Sequence, residues 1–572
     1  LSLGQAALLA GMAHAPSSDN PLVSPTRASG RRRLVLGRLV ASGYATADMG
    51  DRANREPVLM RERAPPFLAP HFTTRIVAEA ERDALAGGTW KTSLDLALQE
   101  ELEAEVRHTV EALADRGARQ AAAVVLDNPT GEILAWVGSP DFWADTAGQV
   151  DMVVSPRQPG SALKPFLYAL AFDRGYTPAS ILPDIARTYQ TSTGPYSPRN
   201  YDRRFHGPTR SREALASSYN LPAVELASRL SVASLLEVLR IGGFASLGQS
   251  AEHYGLGLAL GNGDVTLLEL ANGYRALANG GVWRPWRSRA AAPAEAVAPG
   301  RRIASERSAA LALDILSDPS ARVPAFGPES PLDFAFPVAA KTGTSRHFTD
   351  NWAIGAAGRF TVAVWVGNFS GRPMDGVSGV SGAGPLLHRT VLLTARRYPP
   401  GTLPTPASVG AVPVTICRLS GLLASADCPT ATEWFAPGTA PDRPCDWHRG
   451  GATVLPAEYA EWAQQEGEPS SRAPDRPQPQ PASEGFRILS PRDGDIYRQP
   501  PGVPARYATV ALRAAGGARD GGPVRWFVDG RAQASGRWGL ARGTHWIRAL
   551  SPAGETAEAT IRVEEGSPGR PA

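Results

Sequence analysis

Two strand-length apolar runs, Ala121–Asp127 and Glu132–Gly138, are separated only by Asn128-Pro129-Thr130-Gly131. A turn of this kind between two such runs makes an antiparallel hairpin. Further strand-like stretches lie far downstream: Phe336–Ala340 running into Lys341-Thr342-Gly343, then Asn351–Gly355 and Thr361–Asn368. The Lys341 stretch reads as an edge strand. A sheet built from 121–138 and 341–368, with helices packed on it, is an α+β layer arrangement.

The rest of the chain is arranged around that sheet. Residues 1–45 read as helices, Gln5–Met12 and Arg27–Val40, and are too short for a core of their own. Residues 46–90, with Pro65-Pro66, read as a connector. Thr92–Gln99 leads into an amphipathic helix running to about Ala114, and 175–340 is mostly helical with long loops. Residues 464–484, rich in Pro, Gln, Ser and Glu, read as a linker. Beyond it, Phe486–Leu489, Tyr507–Arg513, Val524–Val528, Thr544–Leu550 and Ala557–Val563 are short strands between Gly turns, the pattern of a small all-β sandwich. Trp526, Trp538 and Trp546 there are expected mainly in its core, with stacking on sugar the alternative use.

Bulk properties exclude several classes. With 572 residues, 43% hydrophobic and 20% charged, the chain is a multi-domain globular protein. A net charge of +4 gives no support for nucleic-acid binding. The sequence shows no apolar run of about 18 residues, the length a membrane helix needs, and no signal peptide. The chain opens inside a helical pattern, so it is expected to be a fragment of a longer parent, and the want of a span here says nothing of an anchor in that parent. Cys417, Cys428 and Cys445 cluster in a loop-rich stretch. One disulfide plus an odd thiol, in an oxidising compartment, is the first expectation. A Cys3His zinc site with His448 is the rival, weakened because no C-x-x-C spacing is present.

Chemistry enters through the cations. Of 59 Lys plus Arg, only Lys91, Lys164 and Lys341 are lysines. Arginine stays protonated, whereas a desolvated lysine can act as a base. Two of the three lysines fall in short motifs, Ser161-x-x-Lys164 after Pro159-Gly160 and Lys341-Thr342-Gly343-Thr344. A helix starting near Ser161 would put its hydroxyl and the Lys164 amine on one face, beside free N-terminal N–H groups. Ser218-x-Asn220 lies between the two motifs.

In this order the three motifs form the serine acyltransferase signature of β-lactamases and penicillin-binding proteins. Arg157–Phe166, Gly261–Thr266 with Leu268–Tyr274, and Ala340–Thr344 with Asn351-Trp352 resemble class A penicillin-binding proteins, and residues 1–45 resemble the tail of their glycosyltransferase domain. Ile416–Gly421, Glu433–Thr439 and Cys445–His448, with the sandwich after them, resemble the 1C type of that family. The resemblance implies the α+β penicillin-binding-protein transpeptidase fold, an antiparallel sheet packed by helices plus an all-α subdomain, followed by an Ig-like sandwich. It implies a glycosyltransferase tail at 1–45, a connector at 46–90, a transpeptidase domain at 91–410, a Cys-containing extension at 411–463, a linker at 464–484 and the sandwich at 485–566.

The roles implied are those of a D,D-transpeptidase cross-linking peptidoglycan stem peptides. Ser161 would attack the D-Ala-D-Ala bond and form an acyl-enzyme, with Lys164 as its base. Ser218 would pass the proton to the leaving amine. Asn220 would hold Lys164 and the substrate amide. Lys341 would bind the terminal carboxylate with the Thr342 and Thr344 hydroxyls alongside, and Gly343 would let the substrate lie close. The Ser161 and Thr344 N–H groups would form the oxyanion hole. Partners would be a D-Ala-D-Ala donor, an amine acceptor, β-lactams and other cell-wall synthesis proteins. The expected location is the periplasm, with the membrane reached only through an upstream anchor. No metal and no cofactor is expected. No glycosyltransferase centre is expected in this chain. Glu213 precedes the second motif but has no motif support as a base for deacylating water, so slow hydrolysis is expected. The alternatives are a D,D-carboxypeptidase or a scaffold module.

Overall fold

A computed structural model describes residues 1–57, 67–82, 88–191, 194–290, 298–465, 486–499, 506–515 and 523–565. The chain divides into two compact units, 1–68 and 69–572. In the first, helices Leu3–Met12, Pro25–Ala41 and Ala47–Arg55 pack on Ala7, Leu36 and Ala53. Ser2 caps the first of them with a reciprocal Ser–Gln5 pairing.

The second unit is built on a five-stranded antiparallel sheet. In spatial order its strands are Ile133–Val137, Gln120–Asp127, Phe360–Gly367, Asp350–Ala356 and Ala339–Thr344. The hairpin turn at 128–131 and the edge position of the Lys341 strand are as expected from the sequence. Successive side chains alternate between two separate cores. Ala122, Val124, Trp352, Ile354 and Trp365 face one core, packed by Lys164–Asp173, Leu267–Ala278 and Glu306–Ser317. Ala121, Val125, Ala353, Val362 and Val364 face the other, packed by Leu96–Ala112 and Gly384–Arg397. Helices on both faces explain why the strands are apolar throughout.

Two expectations need correction, and a third falls outside the described residues. The 46–90 stretch is not a plain connector: besides Ala47–Arg55 it holds the helix Pro70–Arg82, whose Phe72 and Ile76 join the core above. The expected 464–484 linker lies outside the described residues, apart from its first two. Cys417, Cys428 and Cys445 are free thiols rather than a disulfide with one thiol left over. Their sulfurs gather instead on His448 Nδ1, at 3.5, 3.6 and 3.3 Å.

The C-terminal sandwich forms around Val510, Trp526, Val528, Trp538, Ile547 and Ile561. Trp526 and Trp538 are in the core as expected, while Trp546 is exposed. Three short strands, Ile496–Gln499, Arg531–Gln533 and Arg537–Gly539, are additions to the sequence reading. The sandwich is fastened to the rest of its unit at Asp333, which receives Arg513 at 2.9 Å and Arg537 at 2.7 Å.

Candidate active site

The turn carrying Ser161 is a tight 3-10 segment, Gly160–Leu163, and the α-helix proper starts at Lys164. The helix therefore begins slightly later than the sequence suggests. The consequence favours the chemistry, because side chains at i and i+3 eclipse in a 3-10 turn. Gly160 takes φ +55°, a conformation open to glycine and costly for other residues.

This turn is pinned from several sides. Arg157 and Val265 exchange backbone hydrogen bonds, 2.9 Å each way. Trp352 Nε1 donates to Gln158 O at 2.8 Å, and the Tyr274 hydroxyl donates to Ala162 O at 2.7 Å. Two glycines close the clamp. A Cβ on Gly343 would lie 2.0 Å from Pro159 O, and one on Gly261 would lie 2.1 Å from Gly160 O. Gly343 thus admits the Ser161 turn itself against the edge strand, rather than only a substrate backbone as its motif implied. Gly261, Val265, Tyr274 and Trp352 sit in stretches that carried the family resemblance without a role. The signal that could have found Gly261 and Gly343 is glycine beside a chemically loaded segment.

The second and third motifs meet the first through the lysines. Lys164 is fully buried, and its Nζ donates to Ser218 O at 2.6 Å, Tyr219 O at 3.0 Å and Asn220 Oδ1 at 2.7 Å. Lys341 Nζ donates to Ser218 Oγ at 2.7 Å and Thr342 O at 2.9 Å. Ser218 therefore bridges the two amines, its carbonyl on one and its hydroxyl on the other. It does so with φ +64°, a strained conformation for a residue with a side chain, of the kind that persists where surroundings enforce it. Ser161 Oγ has no hydrogen bond to a described residue and is left free for a substrate.

Burial, with the nearby Lys341 charge second, pushes the Lys164 pKa well below the ordinary lysine value. Burial, then Arg322, brings Lys341 down to about 7. The three oxygens around Lys164 match the three N–H bonds of an ammonium and oppose that shift, but desolvation of the cation is the larger effect.

Asn220 departs from its expected role in one respect. Its Oδ1 holds Lys164, but its Nδ2 already donates to Arg199 O at 2.8 Å, so only the second amide hydrogen is left for a substrate. The Thr344 hydroxyl accepts the Gly379 N–H at 2.8 Å. Glu213 is paired with Arg210 at 2.9 Å and Arg418 at 3.2 Å, which ties it up as a base for water.

A supporting layer escaped the sequence reading. Asn200 Oδ1 accepts the Asn220 N–H at 2.7 Å. Its Nδ2 donates to both oxygens of buried Asp184, at 2.8 and 2.7 Å. His206 Nδ1 lies 2.6 Å from Asp184, and the His206 ring stacks on Tyr219 at 3.9 Å. Burial works to lower the His206 pKa, but the Asp184 and Asp202 carboxylates outweigh it and raise it. No motif marks Asp184 and Asn200, which lie in loop-rich sequence.

Comparison with known proteins fits this arrangement. Residues 121–369 match the penicillin binding protein transpeptidase domain, 401–450 the penicillin-binding protein 1A C-terminal domain, and 476–563 the penicillin-binding protein C-terminus family. Penicillin-binding protein 1C of Escherichia coli is 34% identical over 68% of this chain and 48% of its own length. The chain belongs to the penicillin-binding protein family. Penicillin-binding protein 1A of Aquifex aeolicus is 25% identical over 78% of this chain and 73% of its own length. Among solved structures, penicillin-binding protein 1A of Haemophilus influenzae has the same fold, with TM-score 0.62 and 21% identity over 78% of this chain and 87% of that one. PonA1 of Mycobacterium tuberculosis, solved with penicillin V, matches 60% of this chain and 96% of its own at TM-score 0.50 and 20% identity. The chain spans about half the length of the first curated relatives it matches. In this penicillin-binding protein all three motifs lie within the matched transpeptidase region. No helix among the described residues is long and apolar enough to cross a membrane.

Proposed function

We propose that this chain is a serine D,D-transpeptidase of peptidoglycan, of the class A 1C type, whose nucleophile is Ser161. Ser161 Oγ attacks the carbonyl of the penultimate D-Ala of a donor stem peptide, and neutral Lys164 takes its proton. The oxyanion forms beside the Ser161 and Thr344 N–H groups. Ser218, hydrogen-bonded to Lys341, relays a proton to the departing D-Ala amine as the C–N bond breaks. An acceptor amine then attacks the ester, forming the cross-link and returning Ser161 as a free hydroxyl. Lys341 with Thr342 and Thr344 binds the donor's terminal carboxylate until D-Ala leaves, and Asn220 holds Lys164 and its second amide hydrogen serves the peptide. The same pocket takes β-lactams.

One observation carries this reading: two of the chain's three lysines, both buried, converge on a single serine, Ser218, and one of them, Lys164, lies three residues from Ser161 on the same turn. The pairing of Glu213 with arginines supports slow loss of the acyl group to water. The same reading puts the catalytic residues in the periplasm, with the anchor and the glycosyltransferase centre upstream of Leu1, and makes 1–45 the end of that glycosyltransferase domain. Residues 91–410 are the transpeptidase domain, and 411–463 and 485–566 are its C-terminal extensions.

The test is a donor pentapeptide ending in D-Ala-D-Ala, supplied with an amine acceptor and followed by mass spectrometry. A cross-linked amide with release of D-Ala supports the proposal. Rapid release of D-Ala to the free tetrapeptide alone would make the chain a carboxypeptidase. Neither product, with no acylation by a fluorescent penicillin, would leave only a scaffold role.

A further inference from the structure

We propose that Cys417, Cys428, Cys445 and His448 form a structural zinc site that fastens the 411–463 segment beneath the helix leading to Ser218. The proposal stands apart from the transpeptidase reading, since none of the four residues belongs to the three motifs.

The geometry comes first. The three sulfurs and His448 Nδ1 all lie within 4.8 Å of one another. In a tetrahedron with Zn–S of ~2.3 Å and Zn–N of ~2.05 Å, the S···N edge is ~3.6 Å. The observed edges are 3.5, 3.6 and 3.3 Å. A disulfide would require two sulfurs to pair and leave the third, and nothing in that arrangement calls for all three to surround one imidazole nitrogen. Three thiolates and a neutral imidazole form a donor set that suits zinc and disfavours magnesium or calcium, which take oxygen.

The surroundings of the sulfurs are an independent sign. Each sulfur lies within hydrogen-bond reach of a backbone N–H: Ser420 to Cys417 at 3.5 Å, Ser425 to Cys428 at 3.3 Å and Trp447 to Cys445 at 3.4 Å. The Ser420 hydroxyl adds to this by donating to Cys445 at 3.1 Å, and the Ser425 hydroxyl lies 3.1 Å from Cys428. Such donors orient metal-bound thiolates and spread their charge. A neutral thiol has little use for them.

The packing gives the metal something to do. Among the described residues, the apolar cluster behind the hairpin is small: Ile416 and Phe435, with Val414 and Ala431 beside them, closed by Ala179 from outside the segment. So small a core needs a staple. The ligands sit at the end of the strand Val412–Cys417, just before its partner Thr430–Phe435, and at Cys445 in the following loop and His448 at the start of the strand His448–Arg449, so one ion ties three chain passes. The partner strand carries Glu433, fully buried, which takes Arg212 in a two-pronged pair at 2.8 and 2.7 Å. Arg212 belongs to the helix Ser211–Ala216, which runs directly into Ser217 and Ser218. The zinc thereby supports the Ser218 loop from behind.

The test measures metal on the full chain, isolated from an oxidising compartment without chelator, by elemental mass spectrometry together with a thiol count. The expected result is one zinc per chain, no disulfide, and loss of the zinc from Cys445→Ser. Replacement by Co2+ should give the intense visible bands of a tetrahedral thiolate site, a readout that needs no variant to fold. Removing zinc with chelator should lower Tm and slow acylation of Ser161 by penicillin, while Cys445→Ser folded without metal should show the same lowered Tm. A disulfide among the three cysteines, iron in place of zinc, or no metal bound after reduction and incubation with Zn2+ would overturn the proposal.

Discussion

Replacing Gly343 by alanine tests how the Ser161 turn is held. The added Cβ would sit 2.0 Å from Pro159 O and 3.2 Å from Ala162 N, where real Cβ atoms essentially never come under 3.0 Å. The turn and the edge strand must therefore separate by about 1 Å. Neither gives easily. Pro159 O is backbone, and on its other side the strand is backed by Gly379, whose own added Cβ would lie 2.4 Å from Gly343 O. Forced overpacking of this kind costs about 1–3 kcal/mol of stability. A displacement of about 1 Å at a reacting group costs about 10²-fold in rate. The assay is the second-order rate of acylation by a fluorescent penicillin, with Tm measured alongside. Gly343→Ala should acylate about a hundredfold more slowly and melt lower. Gly261→Ala, which presses on Gly160 from the other side of the turn, should behave alike. Gly37→Ala, in a helix with open space around it, should leave acylation unchanged. Acylation within twofold of the parent by Gly343→Ala, at unchanged Tm, would refute the clamp.

Lys164→Arg keeps the charge but removes the base, and acylation should fall about 10²–10⁴-fold in the same assay, the usual worth of a general base. Acylation should follow a bell in pH, rising as Lys164, lowered by burial and then by Lys341, loses its proton, and falling as Lys341 loses its own near 7. An alkaline limb at the ordinary lysine value of about 10.4 would contradict the buried pair. Because both folded-state values are depressed, the fold gains stability as pH rises from them toward the unfolded lysine value, which denaturant titrations at several pH values would show. Asn200→Ala leaves the Asn220 N–H unpaired and strips a donor from buried Asp184. It should cost about 2–4 kcal/mol by chemical denaturation and slow acylation, whereas a neutral result would remove Asn200 from the supporting layer.

The sequence makes the central sheet readable because its strands are apolar runs punctuated by Asn-Pro-Thr-Gly and by Lys-Thr-Gly. It makes Lys164 and Lys341 readable because a chain this poor in lysine keeps two of them inside short motifs rich in hydroxyls, Ser161-x-x-Lys164 and Lys341-Thr342-Gly343-Thr344, and Ser218-x-Asn220 is readable only through the order of the three motifs. Asp184, Asn200 and His206 are not readable, since their roles arise when the end of the strand Ile181–Asp184 and two loop positions fold onto one another, with no periodicity or spacing to mark it. Gly261 and Gly343 are half readable: glycine announces close approach, but not which backbone approaches. The cysteines misled for a physical reason. Their wide spacing argued against metal, yet the hairpin 412–435 brings Cys417 and Cys428 together, and only the folded strands show His448 between them.

The central claim is that Ser161 is the residue that becomes acylated. Intact-mass and peptide-mapping spectrometry after benzylpenicillin treatment, on the parent and on Ser161→Ala, addresses it directly. The account predicts one stable penicilloyl adduct per chain, on the peptide containing Ser161, and none on Ser161→Ala. An adduct on any other side chain, or one that persists in Ser161→Ala, would contradict it.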